Sequence, residues 1–164
     1  MVKTAICPGT FDPITNGHLD LIGRGLMIFD EVIVAVAPSP KKEPFFTLDE
    51  RLRMIRESVK KYTNVRVETF NGLLVNYVKS RRSIAIIRGL RAISDFEYEL
   101  QMALMNRRLD MSIETVFMMP SEEYSFLTST IVKEVASFGG SVKQLVPEVV
   151  EKTLLEKLKI MGDI

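Results

Sequence analysis

Tryptophan is absent from this chain, and histidine and cysteine each occur once in its 164 residues. One cysteine excludes an intrachain disulfide framework and fits a reducing compartment; Cys7, near the end of an apolar run, is expected to be a buried apolar residue. No apolar run approaches the roughly 18–20 residues that cross a bilayer. The amino-terminal stretch MVKTAICPGTFDP has too short an apolar segment for a secretory leader. These absences predict a soluble, cytoplasmic protein with no membrane partner. A net charge of +1 excludes a nucleic-acid binder built on bulk positive charge. Arg81-Arg82 and Arg107-Arg108 are short pairs without the interleaved aromatics of an RNA-binding stripe, so no nucleic-acid partner is expected. There is also no repeat, low-complexity tract or linker. With 46% hydrophobic and 26% charged residues, residues 1–164 read as a single domain around one substantial core.

What is present is an alternation. Thr4–Cys7, Val32–Ala37, Val65–Thr69, Ile84–Arg88 and Glu114–Met118 are short β-branched or apolar runs, several apolar almost throughout, as parallel strands covered on both faces are. Helical patterns lie between and after them, near 17–29, 48–62, 72–80, 95–109, 129–138 and 147–160. Thr47 with Glu50, and Ser94 with Glu97, fit capping boxes. Pro147 suits the first turn of the last helix, and Gly139-Gly140 can end the helix before it. The pattern predicts an α/β fold: a doubly wound, Rossmann-like, five-stranded parallel sheet with helices on both faces and C-terminal helices from about 129 onward.

In such a sheet, ligands bind beyond the carboxyl ends of the strands, where the strand order reverses. The first strand runs into Pro8-Gly9-Thr10-Phe11-Asp12-Pro13, then Ile14-Thr15-Asn16-Gly17-His18 and a helix. Gly9 and Gly17 permit close backbone approach, and a helix N-terminus offers free N–H groups to a phosphate. His18 in that first turn can add a directed hydrogen bond. The fourth strand ends in Arg88-Gly89-Leu90-Arg91, whose guanidinium forks can converge on phosphate oxygens or make surface ion pairs. If strands 1 and 4 are neighbours, these two loops face each other across one crevice. Tyr124-Ser125-Phe126-Leu127-Thr128-Ser129-Thr130 leads into another helix, where hydroxyls can cap and amides can hold a second phosphate. Glu99, Ala103 and Asn106 share a helix face, by default a solvated one. Methionines 102, 105, 118 and 119 read as core filler. Pro38–Phe46, with three prolines, is a stiffened loop projecting Lys41 and Lys42, or simply a solvated one.

The stretch PGTFDPITNGH resembles the nucleotidyltransferase signature in which Thr/His-x-Gly-His opens the first helix, here Thr15–His18. Together with RGLR and the segment Ser129-Thr130-Ile131-Val132-Lys133, where other superfamily members have Ile-Arg in place of Val132-Lys133, the chain resembles the bacterial phosphopantetheine adenylyltransferases from its first strand to its last helix. That resemblance implies transfer of AMP from ATP to 4′-phosphopantetheine, giving dephospho-coenzyme A and pyrophosphate, with no covalent enzyme intermediate. It implies His18 as transition-state stabiliser, with Lys42 and Arg91 as its catalytic companions. ATP would be bound by Thr10, Phe11, His18, Gly89, Leu90, Arg91, Glu99 and residues 124–130. The acceptor would be bound by Thr10, Lys42, Leu73, Leu74, Arg88 and Asn106. Magnesium would be held mainly by phosphates and water, with no protein metal site; Asp12 could assist it or cap its own loop. A homohexamer is implied as the assembly. The alternatives are an adenylyl- or cytidylyltransferase for another small phosphorylated acceptor, and a non-catalytic nucleotide-binding module.

Overall fold

The computed structural model describes residues 2–39, 43–91 and 96–162. Five parallel strands, β1 (Thr4–Gly9), β2 (Glu31–Val36), β3 (Val65–Thr69), β4 (Ala85–Gly89) and β5 (Glu114–Met118), form one sheet in the order β3-β2-β1-β4-β5. The strand order therefore reverses between β1 and β4, as the sequence predicts. Side chains alternate across the sheet with the period of two that a pleated strand dictates. Ala5, Cys7, Val32, Val34, Val36, Ala85 and Ile87 point to one core, and Ile6, Ile33, Ala35 and Ile86 to the other. The first core is covered by α1 (Asn16–Gly25), α2 (Leu48–Val59), α5 (Ser129–Ser137) and α6 (Glu148–Met161). The second is covered by α3 (Leu74–Ser80), which packs beside α4 (Phe96–Leu109).

The boundaries follow local chemistry. Thr47 and Glu50 form the predicted capping box of α2, with backbone-to-side-chain distances of 3.2 and 2.7 Å. Ser94, the other proposed cap, lies outside the described residues. Gly139, at a φ of 77°, ends α5; its amide and that of Gly140 donate back to Ala136 and Val135 at 2.9 Å each, the double closure that a left-handed residue makes possible. Pro147 is the cap of α6, one position ahead of its first turn. The first helix stops at Gly25, short of the expected 17–29. A Cβ there would stand 2.7 Å from Ile87 Cδ1, and the chain then turns so that Phe29 tucks into the core before β2. β1 continues through Pro8 because only its β2 side is still paired at that level.

Candidate functional site

At the carboxyl ends of β1 and β4 lies a cavity of about 560 Å³. The turn after β1, the start of α1, the end of β4 and the start of α5 wall it. Gly17 and His18 belong to the first turn of α1, and Ser129 and Thr130 to that of α5. Neither turn carries an acidic residue, so two positive helix ends face one space without a counter-charge of their own. Arg88, Arg91 and Lys133 also line it.

His18 is fixed by a capping box that the sequence did not advertise, because histidine takes the place of the usual glutamate. The Thr15 N–H donates to His18 Nδ1 at 3.0 Å, and the His18 N–H donates to Thr15 Oγ1 at 3.4 Å. An Nδ1 that accepts leaves the ring proton on Nε2. The Phe11 ring stands edge-on to the imidazole at 5.0 Å, and Phe11 holds a φ of 49° to bring it there. A Cβ on Gly9 would come within 3.0 Å of that ring, so the glycine leaves room for Phe11. Desolvation, with Arg91 and Arg88 adding to it, holds the His18 pKa down at about 4. The site therefore contains a neutral imidazole presenting one N–H donor.

A second, mostly apolar cavity of about 210 Å³ adjoins the first. It is lined by Phe70, Leu74, Tyr98, Met102, Ala103 and Asn106, among others, and shares Pro8, Gly9, Thr10, Arg88 and Glu99 with its neighbour. Those five form a ridge between the two. On it, Arg88 donates from Nε to Glu99 Oε2 at 2.8 Å, pairs again through Nη2 with Oε1, and donates from Nη1 to the Pro8 carbonyl at 3.0 Å. The carboxylate beside it raises the Arg88 pKa. Thr10 Oγ1 lies 3.0 Å from Ser39 Oγ.

The walls are held by groups that the sequence left ambiguous. Asp12 ties its turn to the approach to α2 instead of capping its own loop: its two oxygens accept from the Phe45 and Phe46 amides at 2.8 Å each, and Lys133 Nζ reaches it at 2.9 Å. Asp20 accepts from the Ser121 amide at 2.7 Å and from Arg24 Nε at 3.0 Å, tying α1 to the segment after β5. Ser129 Oγ donates to the Pro13 carbonyl at 2.7 Å, and Thr128 caps α5 through Ile131, so these hydroxyls have structural duties. Arg91 Nη1 donates to the Leu127 carbonyl at 3.1 Å.

Of the residues singled out from sequence, the larger cavity gathers Thr10, Phe11, His18, Arg88, Gly89, Arg91, Glu99, Tyr124, Leu127, Thr128, Ser129 and Thr130. Leu74 and Asn106 line the smaller one. Leu73 caps α3 and is 57% exposed, and Leu90, Ser125 and Phe126 line neither cavity. Lys41 and Lys42 lie outside the described residues. Two default readings are corrected. The Glu99–Ala103–Asn106 face of α4 points into the small cavity instead of into solvent, because that edge of the sheet has no other cover. Met102, Met105 and Met119 are exposed, not core filler, with Met102 at the small cavity; Met118 alone of the four is buried. Arg51 was missed altogether, since in LDERLRMIRESV it reads like the exposed Arg53 and Arg56.

The cytidylyltransferase-like family model matches residues 6–135. The chain is 62% identical over 160 residues to the phosphopantetheine adenylyltransferase of Thermodesulfovibrio yellowstonii, covering 97% of this chain and 99% of that one. Among solved structures, a protein described as a nicotinate-nucleotide adenylyltransferase from Vibrio parahaemolyticus superposes with a TM-score of 0.70 at 16% identity, over 94% of this chain and 99% of its own. A lipopolysaccharide core biosynthesis protein from Thermoplasma volcanium gives 0.58 at 21% identity, over 74% of this chain and 100% of its own. At such identities the structural likenesses speak for the fold alone.

Proposed function

The chain belongs to the phosphopantetheine adenylyltransferases, within the cytidylyltransferase-like nucleotidyltransferases, and on that premise we propose that it joins ATP and 4′-phosphopantetheine across the ridge between its two cavities. The supporting observation is the ridge itself: a cavity of mixed polar and apolar lining, under two helix N-termini, meets a smaller, mostly apolar one at Thr10 and Arg88. A nucleoside triphosphate suits the first, and the arm of a phosphorylated acceptor suits the second.

The acceptor phosphate needs no base, because its second pKa is about 6 and it is already anionic at neutral pH. It attacks the α-phosphorus of ATP in line, forming the new phosphoanhydride P–O bond as the bond to the β-phosphate bridging oxygen breaks, and pyrophosphate leaves. The protein's share is placement and charge stabilisation. The Nε2–H of neutral His18 donates to the α-phosphate oxygens as charge builds there. Thr10 and Arg88, with Lys42, hold the acceptor phosphate. Arg91, Glu99 and the backbone of 124–130 hold the nucleotide, with Leu74 and Asn106 along the arm. Magnesium would enter as part of the nucleotide substrate and would neutralise charge on its phosphates; the carboxylates nearest that space, Asp12 and Glu99, are paired with Lys133 and Arg88. The exposed apolar residues of α4, Leu100, Leu104, Met105 and Leu109 among them, support self-association through that helix, and the family resemblance implies six copies. No helix among the described residues is long and apolar enough to cross a membrane.

Pyrophosphate release measured with ATP and a panel of phosphorylated acceptors tests the reading. Turnover with 4′-phosphopantetheine well above that with nicotinate mononucleotide or glycerol phosphate is expected; preference for either of the others moves the chain to another acceptor, and no turnover with any leaves a nucleotide-binding module.

A further inference from the structure

Arg51 lies within α2 with 1% of its surface exposed, and its hydrogen-bond partners are backbone carbonyls. Nη1 donates to the Thr10 carbonyl at 2.7 Å and to the Ala37 carbonyl at 2.8 Å. Nη2 donates to the Pro38 carbonyl at 3.1 Å, and Nε to the Phe46 carbonyl at 3.2 Å. These acceptors belong to three segments: the turn after β1, the exit of β2, and the approach to α2. A buried guanidinium carries a desolvation cost that a purely apolar side chain would avoid. What it provides is a planar fork whose donors lie at fixed angles to one another.

The geometry it fixes bears on the ridge. Thr10 lines both cavities, and its hydroxyl meets that of Ser39 at 3.0 Å. Ser39 follows Pro38, so one guanidinium holds the two backbones whose hydroxyls meet there. The same fork grips Phe46, whose amide is held by Asp12, so both flanks of the 38–46 loop are referred to one rigid group. Arg51 itself lines neither cavity.

We propose that Arg51 is a positioning residue for the acceptor: it sets Thr10 and both flanks of the 38–46 loop in one frame, so that the acceptor phosphate meets the nucleotide in line. The proposal rests on the adenylyl-transfer reading above. It predicts a loss that falls chiefly on the acceptor: the turn at Thr10 borders both cavities, but the rest of the nucleotide side is built from α1, α5 and the end of β4, which Arg51 does not touch.

Arg51→Lys keeps the charge but not the fork, and Arg51→Met keeps neither. Both are assayed for kinetics with each substrate per mole of folded protein, for ATP affinity by calorimetry, and for amide hydrogen exchange. A misplacement of about 1 Å can lower a rate about 10²-fold, so a drop of that order in kcat/KM for 4′-phosphopantetheine is expected for Arg51→Lys, with ATP affinity within about threefold of the parent chain. Exchange should quicken at residues 10–12 and 43–47 and stay unchanged in α5. A folded Arg51→Lys protein whose acceptor kcat/KM lies within about twofold of the parent overturns the proposal, and so does an equal loss for both substrates. Should Arg51→Met fail to fold, Arg51→Lys decides alone. If the parent chain itself shows no turnover, the functional reading has failed, and the exchange pattern still tells whether Arg51 orders those segments.

Discussion

On one face of the sheet, α1, α2, α5 and α6 bury a continuous core that includes Ile22, Ile55, Val132 and Leu154; on the other, α3 supplies Val75, Tyr77 and Val78, while α4 buries no apolar side chain. The buried residue of α4 is Asn106, and Phe96, Leu100, Leu104 and Met105 are exposed, which inverts the usual amphipathic arrangement. The polar groups divide in the same way. Arg51, Asp12 and Lys133 join loops on the closed face, and Lys157 reaches from α6 to Glu50 at 2.7 Å while lying over the Phe45 and Phe46 rings. One face is thus complete within the chain and carries the rigid wall of the site. The other holds the small cavity under a helix whose outer surface is that of an unfinished core.

The contrast can be broken at the site, by pH and by truncation. The largest effect is expected from His18→Ala, which removes a donor that acts on the transition state: turnover should fall about 10²–10³-fold, with ATP affinity far less affected. Equal losses in turnover and affinity would make His18 a binding residue only.

Truncations should separate the two faces. Leu154→Ala, in the closed core, should cost about 2–5 kcal/mol in denaturant unfolding. Leu104→Gln, on the outer face of α4, should cost the protomer no more than about 0.5 kcal/mol yet lower the assembly mass seen by light scattering. Comparable losses of stability at both positions would erase the distinction.

The third test is pH. With its pKa held at about 4 in the folded chain, against 6.5 in the unfolded one, His18 takes up its proton only on unfolding. Its contribution is therefore fully present above pH 6.5 and is lost as pH falls toward 4. Asp20, Glu50, Glu68 and Asp110, whose pKa values are lowered, begin to lose theirs as pH falls through the ordinary carboxylate values of 3.8 to 4.5, at the lower end of this window and beyond it. Because the chain has a single histidine, a decline of roughly 2 kcal/mol between pH 6.5 and 4.5 belongs to that residue. His18→Gln should flatten it; an unchanged slope in that variant would place the titration elsewhere.

Much of this was legible without coordinates. Strand alternation, the Thr47–Glu50 box and the Gly139-Gly140 stop are local signals, and each predicted its element to within a few residues. The opposed loops after β1 and β4 followed from the strand order that such an alternation allows. Less legible were the residues whose partners are distant backbone. Arg51 belongs to an ordinary charged helix pattern until the Thr10, Ala37, Pro38 and Phe46 carbonyls surround it. Asp12 could have served a metal or its own loop until the Phe45 and Phe46 amides and Lys133 claimed it.

The sequence by itself determined the α/β alternation, the phosphate-suited turn at Gly9–His18 and the family, because hydropathy period, caps and glycine-bearing turns act over a few residues. Only the tertiary structure decided which charges are buried, which nitrogen of His18 bears the proton and which face of α4 turns inward. Those depend on atoms brought together from far along the chain, and on the desolvation that packing imposes on them.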